Sequence, residues 1–358
     1  MALADQAPVG ARMTTTAAAP GRSWIERIPA GWWIAVFILL ALPLVANNFW
    51  LFQVMGWSFI LGMIAVSLTF LAGYGGMVSL LQMSIAGLAG YMVAILGPSG
   101  TTSISLGLSW WIVLPAAFLV AAIFATLSGA LAVRTEGIYT IMITLAIAAA
   151  FFYFTRQNYT IFNGYSGFNL VLPPRLFGVN WRDPVPFYYL CLGCAALCYG
   201  AVVYVSRSPF GLALQGVRDN PRRMAALGFN VTAHRVAAHA FASIFASTGG
   251  ILLAWQNAQI APGTIGIPAA IDVLVVAVIG GMRRPLGAFV GAFIYVILQV
   301  FSPDVLGAFG FSAERFKLII GIGFLAVVLF SPDGVLGLWD RWRARAARRV
   351  DPLTGAPR

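Results

Sequence analysis

Long apolar runs separated by short polar or Pro/Gly-rich breaks set the pattern of this chain. They lie near 32–46, 52–72, 77–96, 109–133, 137–155, 186–206, 236–257, 268–281, 286–301 and 316–331. A membrane-spanning helix needs roughly 20 mostly apolar residues, because each residue adds only 1.5 Å toward crossing a hydrocarbon core about 30 Å thick. The pattern therefore predicts an all-α polytopic membrane protein with about 10 transmembrane helices. The range is 8–10, since the first run and the eighth to tenth are short. The pair around Gly280-Gly281 also reads as one re-entrant element.

Composition sharpens this picture. Of 358 residues, 60% are hydrophobic and only 9% charged, and the mean hydropathy is +0.87. A soluble domain carries about 25% charged residues, so a water-soluble fold of this length is excluded. The cysteines are Cys191, Cys194 and Cys198, within one apolar run. At that spacing they share a stripe of one helix and cannot staple distant segments. Small apolar filling is the better account of them than a redox or metal site. The 22 basic residues are arginines except for Lys317, in the context RFKLII. No GxxxxGK[ST] phosphate loop can exist, so any ATP hydrolysis belongs to another polypeptide.

Charge placement sets the orientation. With the N-terminus inside, 17 basic residues fall on inner segments. The outer ones are Arg156, Arg175, Arg182, Arg315 and Lys317. The positive-inside rule therefore places both termini in the cytoplasm. The arginines are distributed as topology signals, which argues against nucleic-acid binding. Residues 1–31 read as a disordered cytoplasmic tail, 32–338 as the transmembrane domain, and 339–358 as a basic cytoplasmic tail near anionic lipid.

Three stretches depart from plain hydrophobic filler. In GYGGMVSLLQMSIAGLAGYMVAILG (73–97), glycines with Ser79, Gln82 and Ser84 predict a helix that breaks or packs very closely, or one that lines a path. The loop 207–235 contains helix punctuation: Asn220 as cap, Pro221 at the first position and Gly228 closing the turn. A two-turn helix near 221–227 would carry Met224 and Leu227 on one face, and GLALQGV (211–217) a second short amphipathic turn. The segment reads either as a docking knob or as an ordinary connector. In DVLVVAVIGGMRRPLGAFVGAFIYV (272–296), Gly280-Gly281 ends one span and Gly287 and Gly291 allow tight packing of the next. GGM occurs at 75–77 and again at 280–282, hinting at an internal repeat.

Asp272 is costly inside a membrane. Its place after Pro268 puts it in the first turn of its span, where capping and the helix dipole account for it. His234 and His239 are five apart, off the i, i+4 face that a metal pair needs. No metal site and no catalytic residue are expected.

Taken together, the residues resemble the branched-chain amino-acid permease family of ABC importers, in its LivM-like branch. The resemblance covers roughly 55–340. It is carried by AGYGGMVSL (72–80), RTEGIYTIMITLA (134–146), NGYSGFNLVLPPRLFG (163–178) and SPFGLALQGVRDNPRRMAALGFNV (208–231). FASIFASTGGILLAW (241–255), APGTIGIPAAIDVLVVAVIGGMRRPLGAFVGAF (261–293) and FSPDGVLGLW (330–339) continue it. RDNPRRMAALG is the most specific string, since the family places its coupling helix there.

The resemblance implies a permease subunit of an ATP-driven importer in the bacterial cytoplasmic (inner) membrane. Its solutes would be branched-chain amino acids, or urea, amides, or aromatic and other small carboxylates. Partners would be a second homologous permease, two cytoplasmic ABC ATPases using ATP and Mg, and a periplasmic or extracytoplasmic substrate-binding protein. This chain would bind no cofactor. Arg218, Asp219, Asn220, Ala226, Leu227 and Gly228 match the coupling pattern, and Pro221 and Met224 complete the expected helix. Ala225 stands where a glutamate is common, Ala149 where an acid or amide is frequent, and Arg283-Arg284 where Gly-Thr is usual. Gln82, Ser84, Tyr91, Thr140 and Thr144 are candidates to meet the polar groups of a solute on the path. An ion-coupled secondary transporter or a passive channel would be the competing class; among intramembrane acids, the former would have only Asp272 to work with.

Overall fold

A computed structural model describes residues 30–100, 104–174, 178, 180–308, 321–325, 334–335 and 337. The expected tails, apart from residues 30 and 31, and most of the run at 316–331 lie outside these. The chain divides into two compact units between Ala46 and Asn47. The first contributes helix α1 (Ala30–Val45), with Pro43 near its end.

The second unit is built from α2 (Trp57–Gly75), α3 (Gln82–Leu96), α4 (Trp110–Ala132), α5 (Ile138–Gln157) and α6 (Pro184–Arg207). It continues with α7 (Pro209–Asp219), α8 (Pro221–Ala226), α9 (Val231–Asn257), α10 (Ile267–Gly280) and α11 (Pro285–Ala308). A π turn over Trp50–Gly56 runs straight into α2. Six described segments are long and apolar enough to cross a membrane: Trp50–Gly75, Trp110–Ala132, Ile138–Gln157, Pro184–Arg207, Val231–Asn257 and Pro262–Gly280. Val36–Val45, Gln82–Leu96 and Pro285–Phe301 are shorter apolar helices. The protein is thus a multi-pass helical membrane protein.

Burial separates a centre from a rim. Residues 60–71 of α2, 82–91 of α3 and 249–256 of α9 are buried on every side, as expected of helices apolar all round. In α4, by contrast, a single stripe is buried (Val113, Ala117, Ala121, Ala125), while Trp111, Leu119, Ile123 and Leu127 are exposed. The same four-residue rhythm buries Cys191, Ala195, Cys198 and Val202 of α6. The cysteines are free thiols, with Cys194 half-buried. Several hydroxyls in the centre are hidden by bonding back along their own helix: Ser58 donates to Val54 O at 2.6 Å and Thr69 to Ala65 O at 2.9 Å. This satisfies a polar group where no water is available.

The central helices meet backbone to backbone. A Cβ on Gly250 of α9 would collide with the carbonyl of Ala86 in α3, and Gly90 of α3 lies against the Gly250 carbonyl. The α10 and α11 pair closes the same way, Gly280 against Gly287 and Gly291 against Val276. That register makes them two antiparallel helices joined through the turn at 281–284. Small residues are what permit such approach in a membrane, where van der Waals contact replaces the hydrophobic drive.

Two expectations are corrected. The run at 77–96 becomes helical only at Gln82, because residues 76–81 form an irregular break after Gly76 turns left-handed (φ 67°). The turn expected at 211–217 is a full eleven-residue helix, α7, capped by Ser208 Oγ accepting from Gly211 N–H at 3.3 Å. At the end of the molecule away from α7, Phe168–Asn169 pairs antiparallel with Gln259–Ile260. Phe168 and Ile260 are fully buried there.

Gly250→Val should lower the thermal midpoint of the purified chain, with a cost of about 1–3 kcal/mol for forcing backbone apart in a close-packed core. Gly200→Ala in α6, where an added Cβ meets open space, should leave the midpoint unchanged or raise it. Equal midpoints for Gly250→Val and wild type would contradict the packing described.

Candidate functional site

The connection between α6 and α9 carries the densest local punctuation in the chain. Asn220 Oδ1 accepts from Arg223 N–H at 2.9 Å, Pro221 fills the first helical position, and α8 ends within two turns. Gly228 follows at φ 89°, a conformation that costs a side-chain-bearing residue. Asn230 then caps α9 in turn, accepting from Ala233 N–H at 3.0 Å. None of α8 is buried, and Leu227 and Phe229 beyond it are 65% and 40% exposed. Met224 turns back onto α7 and lies against Gly216. The result is a short, rigidly capped helix whose exposed tip is apolar.

This projection is tied to the interior by α7. Gly211, Ala213, Leu214 and Val217 are buried, and Leu214 reaches Gly75 at the end of α2. Arg218, the last basic residue of α7, donates through Nη1 to the carbonyl of Gly73. That carbonyl belongs to the last turn of α2, where acceptors lack an intrahelical partner and the helix dipole is negative. Asp219 holds the other side of the guanidinium, Nη2 to Oδ1 at 2.8 Å. In that exposed setting the pair fixes geometry more than it adds stability.

The two GGM strings meet here. Gly76 ends α2 at φ 67° and Gly281 ends α10 at φ 105°, so the second glycine of each string leaves its helix at positive φ, though with different ψ (21° and 111°). A Cβ on Gly73 would collide with the Met282 carbonyl. Between the two ends lies an open cavity of about 650 Å³, lined by Gly73, Gly76, Val78, Arg218, Met282 and Arg283 among others. The turn between α4 and α5 reaches the same end, with Arg235 Nη1 3.8 Å from Glu136 Oε1.

The five residues expected on a path do not gather at one point. Gln82 opens α3, where Ser67 Oγ of α2 donates to its Oε1 at 2.8 Å. Ser84 is buried beside it with its hydroxyl unpartnered. Thr144 of α5 accepts from Leu80 N–H at 3.2 Å, so it clasps the 76–81 break. Thr140 donates to Thr135 O at 2.8 Å and fastens the start of its own helix. Tyr91 stands about two and a half turns further along α3, edge-on to Phe162 at 5.1 Å and to Phe168 at 6.2 Å. Gln82, Ser84 and Thr144 therefore flank the break, while Tyr91 belongs to an aromatic plug at the opposite end.

His234 stacks on Phe210 at 5.9 Å, and His239 is buried against Gly129 of α4. No group of three potential metal-ligating side chains occurs among the described residues. One expectation is overturned: Asp272 is not in the first turn of α10. The helix starts at Ile267 and its first turn holds no acid. Asp272 is the sixth residue, and its carboxylate receives the Tyr295 hydroxyl of α11. Pro268 does lie at the helix start, but a residue four positions beyond it has already passed into the second turn.

Fold and site together define a helical membrane protein with an anchored, exposed helix at its arginine-rich end. Residues 50–328 match the branched-chain amino acid transport system / permease component family. The chain belongs to that family. It is 25% identical over 253 residues to the high-affinity branched-chain amino acid transport system permease protein LivM of Salmonella typhimurium. That alignment covers 64% of this chain and 58% of the relative, and LivM of Escherichia coli gives the same figures. BraD of Pseudomonas aeruginosa, a permease protein of the same named system, is 29% identical over 140 residues, 39% of this chain and 43% of its own length. The chain thus spans less than two thirds of these relatives. No solved structure matches it.

Asn220→Ala removes the cap of α8 at a cost of about 1 kcal/mol. Amide exchange over 222–227 should then accelerate about fivefold, while exchange in the buried part of α9 stays unchanged. An unaltered exchange rate at α8 would show that the cap does not hold it.

Proposed function

We propose that this chain is the permease subunit of an ATP-driven importer for branched-chain amino acids, with α8 as the helix that docks into a cytoplasmic ATPase. The observation that carries the reading is the linkage just described. An exposed, doubly punctuated helix is joined through α7 and Arg218 to the glycine break that ends α2. A connector needs none of these parts. A force applied at α8 moves the end of a central helix, which is what coupling nucleotide binding to a path requires. The family match and the likeness to LivM and BraD, permease proteins of a branched-chain amino acid transport system, support the same reading.

On this reading the arginine-rich end faces the cytosol. Arg134, Arg207, Arg218, Arg222, Arg223, Arg235, Arg283 and Arg284 all lie on the segments at that end, and the positive-inside rule places such segments there. Arg218, Asp219, Asn220, Pro221, Met224, Ala226, Leu227 and Gly228 form the coupling element. Leu227 supplies its apolar tip and Met224 fixes it to α7. Two ATPases would hydrolyse ATP with Mg, a second homologous permease would complete the path, and an extracytoplasmic binding protein would deliver the solute. The chain itself does no chemistry. ATP favours one arrangement of the permeases because the ATPases bind it better in that state. Gln82, Ser84 and Thr144, at the break between α2 and α3, would line the inner part of the path. Thr140 and Tyr91 support its two ends.

In the assembled transporter, Leu227→Arg should weaken ATPase association by about tenfold or more, as for a buried apolar anchor. Substrate uptake should fall with it, while the folded chain and its thermal midpoint are retained. Arg218→Ala should leave the ATPase bound and hydrolysing, yet lower solute moved per ATP. Unchanged uptake and ATP hydrolysis in Leu227→Arg would remove the docking assignment. Uptake that persists without ATP and collapses with the proton gradient would replace the importer reading with an ion-coupled one.

A further inference from the structure

The arginines around α8 fall into two groups. Arg134, Arg207 and Arg218 stand at or just past the C-terminal ends of α4, α6 and α7, where the helix dipole is negative and a cation is favoured. Arg218 is also paired with Asp219, and Arg235 of α9 lies 3.8 Å from Glu136. Arg222 and Arg223 have neither advantage. They are the second and third residues of α8, in a turn whose own N–H groups already make the surroundings positive. Both are exposed, and neither forms an ion pair among the described residues. From Asn220 to Arg235 the chain contains no acid, and Asp219 just before them is held by Arg218.

Orientation in the membrane does not select that placement. The positive-inside rule counts charges over a whole short loop, so any position between Arg207 and Arg235 serves it equally. What the placement does provide is a common surface with the apolar tip of the projection. Arg223 precedes Leu227 by four residues, which sets the two one turn apart on the same side, and Leu227 is 65% exposed. Ala225 and Ala226 between them are small and exposed, so no bulky side chain of α8 separates the guanidinium from whatever covers Leu227. A guanidinium is planar, always charged, and carries N–H donors in a fork that matches the two oxygens of a carboxylate. The exposed face of α8 is therefore an apolar anchor flanked by two uncompensated cations.

We infer that the ATPase surface receiving α8 is acidic, an apolar pocket for Leu227 bordered by carboxylates that pair with Arg222 and Arg223. The inference rests on the docking reading of α8 and adds the chemistry of the partner. Charges at the rim of an interface act on the rate of encounter and on the choice of partner, whereas a buried apolar anchor acts on how long the complex lasts. Arg222 and Arg223 thus select among ATPases, rejecting one whose groove is basic at this point. Ala225 fits the same scheme, since it keeps α8 free of an acid that those carboxylates would repel.

The test is the kinetics of association between the purified ATPase and the permease pair in phosphatidylcholine nanodiscs, over a range of KCl from about 50 to 500 mM, which shortens the Debye length severalfold. The double variant Arg222→Gln, Arg223→Gln should slow association about tenfold at the lowest salt and flatten its dependence on salt, while dissociation stays near wild type. Arg222→Lys with Arg223→Lys keeps the charge and should keep the association rate. Leu227→Ser removes the anchor without changing charge and should speed dissociation at every salt concentration. The thermal midpoint of the glutamine variant should stay level or rise. A lowered midpoint would show that the arginines serve the fold and would overturn the inference. Wild-type association and salt dependence in the glutamine variant would overturn it too; if Leu227→Ser still dissociates faster, docking by α8 stands and only the acidic surface falls. Wild-type kinetics in both variants would sink the docking helix itself. A loss confined to nanodiscs containing phosphatidylglycerol, and absent in phosphatidylcholine alone, would overturn the inference in favour of contact with an anionic lipid surface.

Discussion

Contact between the backbones of α3 and α9 is the constraint on which the rest of the structure depends. With Gly250 pressed on the Ala86 carbonyl and Gly90 on the Gly250 carbonyl, there is no side-chain layer between the two helices to deform. In a bilayer the surrounding lipid is as apolar as leucine, so helices are held by such close contact and not by expulsion of water. A centre packed this way moves as a body or not at all, since close-packed interiors switch between discrete arrangements and do not flex continuously.

Stiffness in the middle moves the adjustable parts to the ends. The breaks lie at 76–81 and 281–284, each entered through a glycine at positive φ, and Arg218 bonds to the α2 side of the first. Thr144 holds the same break from α5 through Leu80 N–H. The arginine-rich end is therefore a set of glycine-rich turns fastened by polar contacts such as these, whereas the opposite end is stapled by a strand pair and an aromatic plug.

Much of this was legible in the residues and some was not. Hydropathy located the nine apolar runs that correspond to described helices, because desolvation of a charge in a bilayer leaves a signal no packing detail can mask. The cap of α8 was equally plain, since Asn220, Pro221 and Gly228 act through local backbone chemistry alone. The length of α7 was hidden: its apolar face covers the end of α2, a contact far away in sequence, and only Leu214 and Val217 in place show why eleven residues stay helical. Tyr91 and Gln82 share a helix and a polar character, and their spacing sets them about two and a half turns apart, but the partners waiting at each end could not be read from it. Asp272 was misplaced because a position four residues past Pro268 already lies in the second turn, beyond the free N–H groups that a cap could serve.

The positions of two cavities limit how they can communicate. One lies between the ends of α2 and α10 beside Arg218, the other further along the same two helices, beside Ile60, Ile64 and Asp272. From Gly73 to Ile64 is nine residues of α2, about 13 Å, and every residue from 64 to 71 is buried. Along α2 that stretch offers no titratable side chain between the two cavities, and its hydroxyls at Ser67 and Thr69 are engaged locally or with Gln82. Along α2, then, a signal has to travel as displacement of the helix against its neighbours. The Gly280–Gly287 and Gly291–Val276 seams pair α10 with α11, which carries Tyr295 and Gln299. Movement of α2 past that pair would change the width of the space beside Asp272, so the docking helix and the acid are linked by rigid helices with no need for a relay of charges.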